Sequence, residues 1–283
     1  MNQSLPNNVL VDNNNKDHGI SSRQYHPIRI DDIKKEKIAF IIDLYDELKH
    51  EDFVTVTNDK KENRFNIITS EIANFVKVKD YFSSKTEYAL YTYGNTLKQE
   101  IKFSNISSFL EQFSEFKLNI LNNTLSQGHD RIDLAMIFDE AHTYLKQSLS
   151  VEAFSKSKSS ENDTIIRFIL FYVRSDVPVV LSKPHEYNLM TFVRLTNFVF
   201  DVVFMRKKSS SDEAKKSMMA TFNSLKTAQA PFWYSLEVSG SVQKFKHYMN
   251  LLLANPNQRI KLSEIDKQQK KVEELIKNFS QDN

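Results

Sequence analysis

The chain is predicted to be an α/β protein with a doubly wound, mostly parallel sheet, one antiparallel edge hairpin and helices on both faces. Three observations predict this class. Short apolar runs mark strands covered on both sides, apolar stripes at helical spacing lie between them, and two strand signals, Tyr88–Tyr93 and Glu100–Phe103, flank a turn signal at Gly94-Asn95.

The elements follow in order. Residues 1–33 are rich in Asn, Asp and Ser and poor in large apolar side chains, so they bury too little to offset their ordering entropy and are expected to form a disordered tail. Lys37-Ile38-Ala39-Phe40-Ile41-Ile42-Asp43 then reads as the first central strand, ending in a carboxylate. A polar loop runs to Asn63, and Ile68, Ile72, Phe75 and Val76 recur at helical spacing. Tyr88–Tyr93 and Glu100–Phe103 form the hairpin, with Gly94 placed where a tight two-residue turn needs positive φ. Ser104 is the expected cap of a helix carrying Ile106, Phe109, Leu110 and Phe113, and a second helix carries Leu134, Ile137, Phe138, Ala141 and Leu145. After a Ser- and Lys-rich loop at 155–162, Ile165–Val173 is a buried strand. A helix near Tyr187–Arg194, strand Val199–Phe204, helix Asp212–Leu225, strand Phe232–Val238 and helix Val242–Leu253 complete the alternation.

That order matches the von Willebrand A arrangement, and it sets the domain over residues 34–254. Residues 255–283 follow as a segment opened by Asn255-Pro256-Asn257-Gln258-Arg259. Ser263 then caps a final helix striped with Ile265, Val272, Leu275, Ile276 and Phe279.

Composition narrows the function classes. In 283 residues, 38 basic and 36 acidic side chains leave a net charge of +2, so no whole-chain field attracts nucleic acid or anionic membrane. There is no cysteine, which excludes disulfides, thiol nucleophiles and thiolate-held metals, and fits a reducing compartment. No signal peptide or long apolar run is read, so a soluble protein of the cytoplasm and nucleus is expected. The four glycines, at 19, 94, 128 and 240, are too scattered for a phosphate-cradling loop, which removes the commonest enzymatic uses of a doubly wound sheet.

Ligands of such sheets sit at the carboxyl ends of the strands, which singles out Asp43. Von Willebrand A domains hold a divalent cation there with Asp-x-Ser-x-Ser, whereas this chain has Asp43-Leu44-Tyr45-Asp46-Glu47. A phenol at Tyr45 is too large for a serine's place, and Glu47 alters charge and reach, so Asp43, Tyr45 and Glu47 read as a degenerate metal site. Asp43 is expected to cap loop amides instead, and Ser175-Asp176 follows the strand where such domains carry another ligand. His129, His142, His185 and His247 form no dense constellation, although Asp139 and His142 are one turn apart; Arg206-Lys207-Lys208 reads as a solvated turn. No nucleophile-base pair or cofactor motif is found, so no catalytic residue and no cofactor are expected.

Several segments together resemble the von Willebrand A-like scaffold subunit shared by the BRISC deubiquitinase and BRCA-A DNA-damage complexes. They are Glu36–Leu44, Phe198–Phe204, Tyr234–Val238 with the helix after it, and Leu252–Arg259, whose Pro-x-x-Arg is the most specific part. The resemblance implies a non-catalytic adaptor that binds a BRE-like subunit, and through it an Abraxas-type scaffold and a zinc-dependent deubiquitinase that carries the catalysis. It also implies that Pro256 and Arg259 are partner-binding and therefore exposed. The chain departs from the family at Ile260, where a second proline is usual, and at Tyr45, where the degenerate motif has serine. The alternative reading is a metal-dependent, ligand-binding von Willebrand A domain, which would need hydroxyl ligands beside Asp43.

Overall fold

Glu36–Asp43 forms β1 at the centre of the sheet, because Ile38, Phe40 and Ile42 point to one face, Ala39 and Ile41 to the other, and all are buried. The computed structural model describes residues 35–55, 60–120, 131–148, 164–182, 197–209, 211–226, 233–256, 259, 264 and 267. The expected tail at 1–33, the loop at 155–162 and the helix near Tyr187–Arg194 lie outside them.

The strands are β1, β2 (Phe53–Val54), β3 (Lys61–Glu62), β4 (Glu87–Tyr93), β5 (Leu97–Ser104), β6 (Ile165–Tyr172), β7 (Phe198–Arg206) and β8 (Ser235–Ser239). The helices are α1 (Arg64–Phe82), α2 (Ile106–Ile120), α3 (Leu134–Ser148), α4 (Asp212–Lys226) and α5 (Val242–Leu253). The main sheet has the order β5-β4-β1-β6-β7-β8, with every neighbouring pair parallel except β4 and β5. This is the von Willebrand A-like fold expected from the element order, and β5 is its antiparallel edge.

Each face of the sheet is sealed by its own apolar layer. Phe40, Phe171, Ile72, Phe75, Phe109, Phe245 and Leu252 fill the side of α1, α2 and α5, and the Phe40 and Phe75 rings meet edge to face at 5.6 Å. Phe168, Phe200, Phe138, Leu225 and Trp233 fill the side of α3 and α4.

Local chemistry sets the element ends and corrects three expectations. The hairpin turn uses Gly94, Asn95 and Thr96 rather than two residues, and Gly94 has no positive φ; among the described glycines only Gly240 does, at 65° before α5. Asn105, not Ser104, caps α2 by accepting from the Ser108 N–H at 3.0 Å, since Ser104 is still in β5. The polar loop after β1 also contains the short β2–β3 ladder. Ser241 caps α5 by accepting from the Lys244 N–H at 3.2 Å. Among the described residues no helix is long and apolar enough to cross a membrane.

Candidate functional site

Two charged clusters are buried at opposite ends of the sheet. At the carboxyl end, β1 delivers Asp43, the following turn delivers Tyr45 and Glu47, α1 opens with Arg64, and the end of β6 supplies Arg174 and Ser175. Asp43, Arg64, Arg174 and Ser175 are all at most 1% exposed.

Each carboxylate of the expected degenerate site is held by a guanidinium. The Arg174 Nε donates to Asp43 Oδ1 at 2.9 Å, its Nη2 donates to the Gly94 carbonyl at 3.1 Å, and the guanidinium lies 5.0 Å over the Tyr45 ring. Arg64 Nη1 donates to Glu47 Oε2 at 2.8 Å and to the carbonyls of Val173 and Met205, both at 2.9 Å. Its Nε and Nη2 fork onto Asp52 at 3.1 and 2.6 Å. Ser175 completes the set, donating from its backbone N–H to Glu47 Oε1 at 3.2 Å and from its hydroxyl to Oε2.

The expectation that Asp43 caps a loop amide holds in part: Oδ2 accepts from the Val173 N–H at 3.3 Å, but Arg174 is the stronger partner. Burial pushes the Asp43 carboxyl up to about 6, against the pull of Arg174. An oxygen cage for a divalent ion needs free lone pairs facing a common point, and here those lone pairs face arginine protons. Asp176 lies outside the cluster, in a surface pair with Lys207; Arg206 pairs with Glu237, so the basic turn is partnered rather than only solvated. His142 is half-buried on α3, His247 is exposed on α5, and His129 and His185 lie outside the described residues. Among the described residues no three His, Asp or Glu side chains gather as a metal site.

The second cluster lies at the amino end of the strands, beneath α1 and α5. Asp201 of β7 accepts from both Arg259 terminal nitrogens, at 2.7 and 2.8 Å, from Arg167 Nε of β6 at 2.8 Å, and from the Tyr234 N–H at 2.9 Å. Glu36 Oε1, at the start of β1, accepts from Lys79 Nζ of α1 at 2.6 Å and from Asn255 Nδ2 at 2.9 Å. Lys79 also donates to the Leu253 carbonyl at 3.0 Å. Burial pushes the Asp201 carboxyl up, but Arg259 and Arg167 outweigh it and hold it below the usual carboxylate range. Burial, then Arg259 beside it, bring the Arg167 guanidinium down to about 10.

This arrangement corrects the expected exposure of the Pro-x-x-Arg segment. Pro256 is buried, and the Arg259 side chain has no exposed surface: its guanidinium is spent on Asp201 and lies 4.5 Å over the Tyr234 ring. A planar fork with a bidentate carboxylate inside its own fold has no reason to face solvent. Arg64, Arg174, Lys79, Arg167 and Asp201 escaped the sequence reading as site residues. The available signal was a single charge inside an apolar run, as with Arg167 in Ile165–Val173 and Asp201 in Phe198–Phe204.

No protein-family model matches the chain, and no curated protein matches it. Among solved structures, the SpRpn10 VWA domain aligns with 80% of this chain and 98% of its own at 13% identity and a TM-score of 0.47. The N-terminal domain of TFIIH p34 aligns with 78% of this chain and 98% of its own at 12% identity and a TM-score of 0.49. Proximal thread matrix protein 1 of the mussel byssus aligns with 80% of this chain and 46% of its own, at 12% identity and a TM-score of 0.42. These likenesses concern fold, and the von Willebrand A-like assignment itself stands on strand order and pairing.

Proposed function

We propose that this chain is a non-catalytic scaffold of the cytoplasm and nucleus that holds a BRE-like subunit, and through it an Abraxas-type scaffold and a zinc-dependent deubiquitinase, in a BRISC- or BRCA-A-type assembly. One observation carries the reading. The four segments that resemble that family's subunit meet in one buried cluster: Glu36 comes from the first, Asp201 from the second, Tyr234 from the third, and Asn255 and Arg259 from the last. Residues scattered from 36 to 259 thus form one structural unit that sets the path of the Pro256–Arg259 segment.

In this reading the segment is a preformed docking element. Arg259 is a positioning residue that fixes it from beneath, and Pro256 limits the freedom to be lost on binding. The arginine-filled carboxyl end supports a function without metal chemistry. The test is titration calorimetry of the full chain against a purified BRE-like subunit, with circular dichroism of each variant. Binding at micromolar Kd or tighter is expected, weakened roughly thirtyfold by Arg259→Ala and less by Pro256→Ala. No binding of the wild type at ~100 μM, well above the ~1 μM that corresponds to about 8 kcal/mol, would overturn the assignment.

A further inference from the structure

Val78, Tyr81 and Phe82, in the last two turns of α1, are 39%, 90% and 61% exposed. The lengths of two neighbouring helices explain why. Glu71, Val78 and Phe82 stand at i, i+7 and i+11, which is one row of an α-helix, and Glu71 Oε1 meets Lys246 Nζ of α5 at 3.7 Å. The row therefore runs down the side of α1 that faces α5. At ~1.5 Å per residue, Phe82 lies about 16 Å beyond Glu71, while α5 ends at Leu253, about 10 Å beyond Lys246. Near its end α1 outruns its neighbour by about one turn.

Among the described residues nothing continues the line of α5. Ala254 leaves the helical region, at φ −59° and ψ 136°, and Asn255 turns inward to Glu36. Lys79 closes the corner by donating to Glu36 and to the Leu253 carbonyl. The result is a step whose wall is the last apolar row of α1 and whose floor adjoins the exit segment.

Charge and area say what fits it. Lys77 and Lys85 are exposed on either side of the wall, and the one carboxylate between them in sequence, Asp80, is half-buried. A second copy would bring these lysines towards their own counterparts, so charge favours a partner that carries carboxylates. Three side chains cover far less than the ~800 Å² per partner of a stable interface, so the step is the anchor of a wider contact. The exit segment beside it is the surface already assigned to a partner.

We propose, on the strength of the scaffold reading, that the subunit held by this chain seats a large apolar side chain flanked by carboxylates in this step, against Val78, Tyr81 and Phe82. The exit segment, whose Pro256 and Arg259 are buried, then shapes the interface, and the end of α1 supplies its exposed apolar contact.

The test is titration calorimetry of the full chain against the purified BRE-like subunit, with circular dichroism of each variant. Tyr81→Ser/Phe82→Ser is expected to weaken binding about tenfold or more, and Lys77→Glu/Lys85→Glu about threefold or more with a shallower salt dependence. Met219→Ser, at a 52% exposed position of α4 across the sheet, should bind within about twofold of wild type. If wild type binds and Tyr81→Ser/Phe82→Ser binds equally well, the proposal is overturned while the scaffold reading stands; if wild type does not bind, both are overturned. An equal loss in Met219→Ser overturns the proposal too, and unchanged binding in Lys77→Glu/Lys85→Glu overturns the carboxylate flank. A wild-type dimer in sedimentation that Tyr81→Ser/Phe82→Ser makes monomeric would assign the step to a second copy and overturn the proposal as well.

Discussion

The two ends of the sheet bury charge in opposite ways. At the carboxyl end, Asp43 has one guanidinium, Arg174, and burial dominates, leaving its carboxyl raised to about 6. At the amino end, Asp201 has two, Arg167 and Arg259, and together they outweigh burial and hold its carboxyl low. Both carboxylates lie at 0% exposure, so depth does not explain the difference; the number of cations within hydrogen-bond reach does. The first cluster sets Arg64 of α1 and Arg174, just beyond β6, against the carboxylates that follow β1. The second joins β1, β6, β7, α1 and the exit segment.

The largest effect is therefore expected at the amino end. Asp201→Ala leaves two buried guanidiniums without their shared acceptor and should cost about 3–5 kcal/mol in urea denaturation. Arg259→Ala leaves Asp201 with Arg167 and the Tyr234 N–H, and should cost about 2 kcal/mol. If Arg259→Ala costs nothing, the exit segment is not held by this pair and the contrast between the clusters fails.

The next effect is in pH. Because the folded Asp43 carboxyl is raised, the native state binds its proton more tightly than the unfolded chain. Its stabilisation is full below the unfolded value near 3.8 and is lost as pH rises through about 6. The stability of wild type relative to Asp43→Asn should fall by about 2–3 kcal/mol between pH 4 and pH 7. Asp201 is depressed and has the opposite sign: its contribution is present above the unfolded value and is lost as pH falls through the folded one. Matched pH series for Asp43→Asn and Asp201→Asn sharpen the comparison, and parallel curves would break it.

The smallest effect concerns metal. Millimolar magnesium, manganese or calcium should leave the melting temperature of wild type within about 1 °C, since an ion must displace Arg64 or Arg174 to reach the carboxylates. A clear rise, abolished in Asp43→Ala, would show that the carboxyl end still holds an ion.

Sequence reading found the features that short-range pattern determines. Burial on both faces makes β1, β6 and β7 read as apolar runs, with Arg167 and Asp201 as single charges inside β6 and β7. The same reading found Asp43, Tyr45 and Glu47 because adjacency to a strand end is local. It missed their arginine partners because pairing is not local: Asp43 and Arg174 are 131 positions apart, and Glu36 and Asn255 are 219. The misplaced exposure of Arg259 has the same origin, since an arginine after a proline looks solvated until its carboxylate, 58 residues earlier, is placed beneath it. The ladder of β2 and β3 has only two residues per strand, too few to show a period.

The hydrogen bond from Asn255 to Glu36 puts the entrance and the exit of the domain side by side, at 2.9 Å between side chains from its two extremities. A domain whose ends touch can be set into the loop of another protein, or rejoined there and reopened elsewhere, with little disturbance to its sheet. The segments before residue 36 and after residue 259 both start from this one pole.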